Sequence, residues 1–273
     1  MDVLETLRLD GKTAVVTGAG RGLGKAMAQA LAQAGAEVVC AARTPGQINE
    51  TVQAIRAAGG RALAVPTDVT DSGQVNHLLD ACLDAYGKID VLVANAGGGG
   101  GSRGNWEFWE YPDEAFEEVL ATNLKSNFYC NRAAARHMVA RGAGGVIINV
   151  ASGTALRGNR HFAYPTAKGG VISLTKSVAT ILGPHNIRAN VIIPGFVLKG
   201  PPVNAREAEA AKRHGQMVPV RRLGEWWELG PLCVFLASEA SRYITGQSFI
   251  IDGGGLAGGL GPTGFVPRHR LED

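Results

Sequence analysis

Short runs that are apolar on both faces alternate along this chain with helical stretches of a dozen or more residues, and few architectures accept that alternation. Residues 12–17, 37–42, 62–65, 89–94, 146–150, 188–193 and 247–251 read as strands. Residues 22–34, 47–58, 72–86, 112–140 and 164–182 read as helices between them. A strand apolar on both sides must be covered on both sides, and long intervening helices supply that cover while forcing parallel crossovers. The expected architecture is therefore α/β: a single doubly wound domain with a parallel sheet of about seven strands and helices on both faces. No linker or shift of composition divides residues 1–273; the core spans about 11–254, and 255–273 form a glycine- and charge-rich tail. In open sheets of this kind ligands bind at the carboxyl ends of the strands, so chemistry-bearing residues are sought there.

Composition excludes several classes. Hydrophobic residues make up 45% of the 273, enough for a large core, and the net charge of +3 is too small for nucleic acid or an anionic membrane as main partner. No apolar run approaches the roughly 20 residues of a membrane span. The first residues lack the basic-then-apolar order of a secretory signal. The four cysteines, Cys40, Cys82, Cys130 and Cys233, are far apart in apolar or helical stretches, as reduced core thiols would be. Thiols and no signal point to the cytoplasm. No group of His, Cys and carboxylates has metal-ligand spacing.

The first strand runs into Thr17-Gly18-Ala19-Gly20-Arg21-Gly22-Leu23-Gly24 and then a helix. Glycines permit a tight turn and close approach to a pyrophosphate, and the following helix N-terminus offers free N–H groups. The spacing Gly18, Gly22, Gly24 differs from the Gly-x-Gly-x-x-Gly of the standard Rossmann-type turn, but its place between strand and helix marks a dinucleotide site. At the end of the second strand an acid would bind the 2′-hydroxyl of NAD, an arginine the 2′-phosphate of NADP. That strand ends Cys40-Ala41-Ala42-Arg43-Thr44, and Arg21 stands in the glycine turn. NADP(H) is expected in preference to NAD(H). Asp68-Val69 after the third strand suits the adenine amine or is a turn and helix cap. Asn95-Ala96-Gly97 follows the fourth strand, beside the cofactor.

Tyr164 and Lys168 lie in Tyr164-Pro165-Thr166-Ala167-Lys168, on one face of a helix whose first turn tolerates Pro165. A lysine ammonium beside a phenol favours the phenolate, so Lys168 is expected to lower the Tyr164 pKa and make it a proton-transfer group.

Together these motifs resemble the short-chain dehydrogenase/reductase family, over about residues 11–254. Thr17-Gly18…Gly22-Leu23-Gly24 is similar to its cofactor turn, Asp68-Val69 and Asn95-Ala96-Gly97 to its adenine-side motifs, and Pro194-Gly195 to its nicotinamide-side motif. Asn123, Ser152, Tyr164 and Lys168 match its catalytic tetrad, and Thr245-Gly246-Gln247 and Asp252-Gly253-Gly254 its C-terminal signature. The resemblance implies reversible, NADPH-dependent reduction of a carbonyl to a secondary alcohol, with 3-oxoacyl-thioester reductases as the nearest subgroup. Tyr164 would donate the proton, Ser152 would hydrogen-bond the substrate oxygen, Lys168 would hold the ribose, and Asn123 would orient a water. It also implies a homotetramer or homodimer. Oxidation of a sugar, steroid or other secondary alcohol is the alternative; a non-catalytic dinucleotide sensor is a remote one. Two departures stand out. Lys199 replaces a threonine usual after Pro194-Gly195, leaving the Val197 backbone to hold the carboxamide, and five glycines fill 97–101.

Substrate choice is expected in the loops after strands four to six. Trp106, Phe108, Trp109 and Tyr111 either wall an apolar pocket or pack their loop onto the body. Arg157, Arg160 and His161 either attract an anionic substrate or are solvated. Residues 201–218 read as a mobile lid with an amphipathic, charged segment at 205–217.

Overall fold

The computed structural model describes residues 2–98, 106–159 and 161–258. Glycines 99–101 of the glycine run, Arg160, and the tail from 259 onward lie outside the described residues.

Seven strands form one sheet: β1 (Thr13–Thr17), β2 (Glu37–Ala42), β3 (Ala62–Pro66), β4 (Val91–Ala94), β5 (Gly145–Val150), β6 (Ile187–Pro194) and β7 (Ser248–Ile251). Their order is β3-β2-β1-β4-β5-β6-β7, and every adjacent pair is parallel. Val15 pairs with Val39 on one side and Leu92 on the other, and Leu92 with Ile147, so β-branched and aliphatic residues fill the middle of the sheet.

Between the strands come α1 (Gly22–Gln33), α2 (Pro45–Ala57), α3 (Ser72–Tyr86), α4 (Asp113–Leu120), α5 (Ser126–Arg141), α6 (Ala163–Leu182), α7 (Ala205–Gln216), α8 (Leu229–Ala237) and the short α9 (Gly255–Gly258). Strand side chains alternate between two cores. Ala14 and Val16 of β1 pack with Met27, Leu31, Ile48 and Leu236 on one face. Val15 packs with Leu78, Leu79, Met138 and Ile147 on the other. Both layers are buried, which explains why the central strands are largely apolar on both faces.

Two details depart from the sequence expectation. Residues 112–140, read as one helix, are α4 and α5 joined by a π turn at Ala121–Lys125, where the Ser126 N–H donates to the Ala121 carbonyl. Such insertions keep the apolar period nearly intact, so the pattern does not reveal them. The second is α8, which was not expected. Its composition is almost wholly apolar, so it carries no amphipathic signal, and it is packed tightly onto α1. A β-carbon on Gly230 would lie 2.7 Å from the β-carbon of Ala30.

That approach leaves no room for a methyl group. Gly230→Ala is expected to lower stability in urea unfolding by about 1–3 kcal/mol, the usual cost of overpacking.

Candidate active site

The strand order reverses direction between β1 and β4, and the carboxyl ends of these strands part to form a cleft of about 530 Å³. The β1–α1 turn forms its floor. Gly18 and Gly22 have φ of +69° and +56°, and a β-carbon on Gly18 would come within 2.7 Å of Asn95 Nδ2. No side chain caps α1, and Gly22, Leu23 and Gly24 line the cleft, so free N–H groups and the positive end of the helix dipole are offered to an anion there.

Asn95 ties the two strand ends together. Its Nδ2 donates to the Thr17 carbonyl (3.0 Å), and the N–H groups of Asn95 and Ala96 both donate to Thr17 Oγ1 (3.1 Å each). Arg21, Arg43, Thr44 and Gln47 line one end of the cleft. Both arginines are exposed, and neither forms an ion pair or side-chain hydrogen bond among the described residues. Asp68 and Val69 line the same end. One Asp68 oxygen accepts from Thr70 N (3.0 Å) and Thr70 Oγ1 (2.8 Å), so this residue organises its turn as well as facing the cleft.

At the opposite end, Ser152, Tyr164 and Lys168 line the cleft with Pro194, Gly195, Val197 and Lys199. Ser152 follows β5, and its Oγ accepts from Thr154 Oγ1 (3.0 Å) and Thr154 N (3.3 Å). With its acceptor sites engaged, the Ser152 hydroxyl proton is left for another oxygen. Lys168 is only 2% exposed, and its Nζ donates to the Val150 carbonyl (2.9 Å). Burial pushes its pKa down to about 8. Burial also pushes the Tyr164 phenol above its ordinary value, against which the Ser152 hydroxyl acts in the lowering sense. The expected lowering of Tyr164 by Lys168 is therefore corrected. The lysine is turned to a backbone carbonyl with Nζ 5.9 Å from the centre of the phenol ring, and desolvation prevails.

Asn123 sits in the π turn, 1% exposed. Its Nδ2 donates to the Val119 carbonyl (3.1 Å) and its Oδ1 accepts from Gly98 N (3.0 Å). A β-carbon on Gly97 would lie 2.8 Å from Asn123 Oδ1 and 3.2 Å from Lys168 Nζ, so this glycine keeps the two groups apart by a backbone's width. Beyond Gly195, Val197 bridges Gly224. Gly224 N donates to the Phe196 carbonyl and Leu198 N to the Gly224 carbonyl. The N–H and carbonyl of Val197 itself take no part in that bridge. Lys199 lies over the glycine turn, its Cβ 3.4 Å from where a β-carbon of Gly22 would be.

A second, smaller cavity of about 110 Å³ shares Ser152, Pro194 and Gly195 with the cleft and continues past Thr154, Arg157, Phe196, Asp252 and Leu256. Of these last five, Arg157 alone stands out in the sequence as a substrate-facing candidate; Thr154, Phe196 and Leu256 carry no spacing signal and are gathered by the fold. The aromatic loop divides: Tyr111, Phe108 and Trp106 make ring contacts, while Trp109 and much of Phe108 stay exposed. Tyr111 and Phe108 each meet Phe162 edge-on at 4.8 Å, and Trp106 meets Tyr111 at 5.5 Å. His161 is exposed. The 201–218 segment contains α7, whose His214 contacts Phe196 at 6.1 Å. All four cysteines are buried and unpaired, and burial pushes each thiol up to about 12. Among the described residues no three potential metal ligands cluster, and no helix is long and apolar enough to cross a membrane.

A family model described as enoyl-(acyl carrier protein) reductase matches residues 18–255. An L-rhamnose 1-dehydrogenase (NAD(P)(+)) of Azotobacter vinelandii is 38% identical over 89% of this chain and 96% of its own length. A 7alpha-hydroxysteroid dehydrogenase of Escherichia coli is 35% identical over 92% of this chain and 97% of its own. A crystal structure of a short-chain type dehydrogenase/reductase from Mycobacterium marinum superposes with a TM-score of 0.84 at 38% identity, covering 93% of this chain and 98% of that one. The chain belongs to the short-chain dehydrogenase/reductase family.

The buried lysine has a thermodynamic consequence. Its folded pKa of about 8 lies below the ordinary 10.5, so between these values the unfolded chain binds more protons and stability rises with pH. Tyr164, raised above 10, acts in the opposite sense from that pH upward. The four buried thiols, raised from 9.0 to about 12, act in the opposite sense too, so the lysine is isolated by difference: in urea unfolding of cofactor-free protein, the stability of the wild type relative to Lys168→Met is expected to rise between pH 8 and 10.

Proposed function

We propose that this protein is an NADP(H)-dependent oxidoreductase that interconverts a secondary alcohol and its carbonyl compound. The observation that carries this is the continuity of one cleft, from the glycine turn and Arg43 at one end to Ser152, Tyr164 and Lys168 at the other. The residues fit a dinucleotide. An uncapped helix start suits a pyrophosphate, the unpaired Arg21 and Arg43 suit a 2′-phosphate, and the unengaged Val197 backbone suits a carboxamide. When bound, the nicotinamide supplies the hydride donor or acceptor.

The chain's own groups would do the rest. Ser152, with its acceptor sites taken by Thr154, donates to the substrate oxygen and stabilises charge developing there. Tyr164 passes the proton between that oxygen and the protein. A phenol held protonated by burial is a ready acid for the reducing direction; a positive charge brought beside it lowers its pKa and readies it as a base for oxidation. Lys168 is anchored by Val150 and Asn123 by the π turn, so both stand in fixed positions for the cofactor's ribose and a relaying water. A rhamnose dehydrogenase and a hydroxysteroid dehydrogenase among the relatives favour oxidation of a hydroxyl over reduction of a 3-oxoacyl thioester.

Tyr164→Phe is expected to lower kcat by roughly 10²–10⁴-fold, the range of general acid–base catalysis, while NADPH binding measured by fluorescence titration stays within a few-fold. Full turnover in that variant would refute the role. For the cofactor, Arg21→Ala with Arg43→Ala is expected to weaken NADP⁺ binding by roughly 10–100-fold for each charge-assisted hydrogen bond removed, and to leave NAD⁺ binding nearly unchanged, as read by calorimetry. Equal affinity of the wild type for the two dinucleotides would overturn the assignment.

A further inference from the structure

The described residues include three half-buried arginines, Arg141, Arg157 and Arg188. Two of them have partners for their terminal nitrogens. Arg141 pairs with Asp90 at 2.9 Å and donates to the Gly144 carbonyl. Arg188 donates to the carbonyls of Leu236, Ser238 and Ile244. Arg157 is the exception. Its guanidinium lies over the Phe196 ring, 5.9 Å from the centroid, and donates to no acceptor and meets no carboxylate among the described residues. Stacking occupies a face of the guanidinium and leaves its in-plane N–H donors free.

Those donors belong to the wall of the 110 Å³ cavity that opens beside Ser152. The cavity has one other charged group, Asp252, and it does not neutralise the arginine. Its oxygens accept from Gly254 N (2.9 Å) and Leu256 N (2.7 Å), which fix it to the start of α9. Apart from the Ser152 and Thr154 hydroxyls, which bond to each other, the remaining wall is glycine and the apolar Pro194, Phe196 and Leu256. A half-buried cation with unused, planar donors, set in an apolar cavity, is matched by a group that is anionic, planar and a double acceptor.

We propose that the substrate is a small hydroxy acid, or its oxo counterpart, whose carboxylate is bound by Arg157 while its hydroxyl lies at Ser152 and Tyr164. This rests on the alcohol–carbonyl activity proposed above and narrows it. The site selects a carboxylate a short distance from the reacting carbon. Phe196, with Arg157 over its ring and His214 of α7 beside it, sets the orientation of the guanidinium.

The test uses matched pairs that differ only in charge: lactate, 3-hydroxybutyrate and gluconate, each beside its methyl ester. NADP⁺ reduction is followed with wild-type protein, Arg157→Met and Arg157→Lys. In parallel, each acid and ester is titrated into the protein–NADPH complex and the NADPH fluorescence is read. At least one acid is expected to exceed its ester in kcat/KM by roughly 10–100-fold, the effect of a single charge-assisted hydrogen bond. Arg157→Met is expected to erase that preference through KM with little change in kcat, and Arg157→Lys to restore part of it. In the titration, that acid binds the wild-type complex and its ester does not. Esters used or bound as well as the acids, or an acid preference that survives Arg157→Met, would overturn the inference. Tight NADPH binding with selective acid binding but no turnover would instead count against the proposed activity and leave the carboxylate site standing.

Discussion

The functional end of this molecule depends on the hydrogen bonds that hold the ends of β1 and β4 together while the sheet opens between them. Where strand order reverses, two parallel strands must part, and their last N–H and carbonyl groups lose their ladder partners. Thr17 and Asn95 replace those partners for each other. One asparagine amide takes the Thr17 carbonyl, and one threonine hydroxyl takes two successive N–H groups. The cost is steric: Asn95 Nδ2 stands where a side chain on residue 18 would have to be, so the chain turns on glycine. Gly24 of α1 makes room in turn, because a β-carbon there would meet the Gly18 carbonyl oxygen. Close approach on both sides of residue 18 is thus what the glycines of this turn serve.

Desolvation governs the other end. Lys168 is sunk beneath the cleft with the Val150 carbonyl as its hydrogen-bond acceptor, and Tyr164 packs with Ala163, Ala167 and Phe162. Taking a charge out of water without a counter-charge is costly, and the two groups answer in opposite directions: the lysine is driven toward neutrality and the tyrosine held protonated. A positive charge brought into the cleft lowers the phenol's pKa, while a ligand hydroxyl that accepts from the lysine Nζ favours the ammonium. The protonation of Tyr164 is therefore coupled to occupancy of the cleft by ordinary electrostatics, with no movement of the chain required.

Much of this was legible in the sequence because it is local or periodic. Doubly covered strands such as 91–94 and 146–150 read as apolar runs, and glycines 18, 22 and 24 read as a turn because positive φ and close approach leave so few alternatives. Tyr164 and Lys168 share a helical face by spacing alone. What escaped is what depends on contacts distant in sequence. The π turn at Ala121–Lys125 is set by packing of Asn123 under Gly98, and α8 hides because a helix buried on several sides has no polar stripe. The sign of the Tyr164 shift escaped for the same reason: spacing places an ammonium near a phenol, but only the tertiary structure turns that ammonium toward Val150. Thr154, which leaves Ser152 a donor, and Phe196, which carries Arg157, are gathered from separate loops and leave no pattern in the chain.

Burial holds Tyr164 protonated, the proposed function has a bound cofactor lower its pKa, and both can be read on one atom. With tyrosines labelled at ¹³Cζ and Tyr164 assigned by comparison with Tyr164→Phe, the resonance can be followed against pH in cofactor-free protein and again with NADP⁺. A titration midpoint above pH 10 is predicted in the first case, and a shift to lower pH in the second. A midpoint below pH 10 without cofactor would contradict it, because the lysine would then face the phenol and not the Val150 carbonyl.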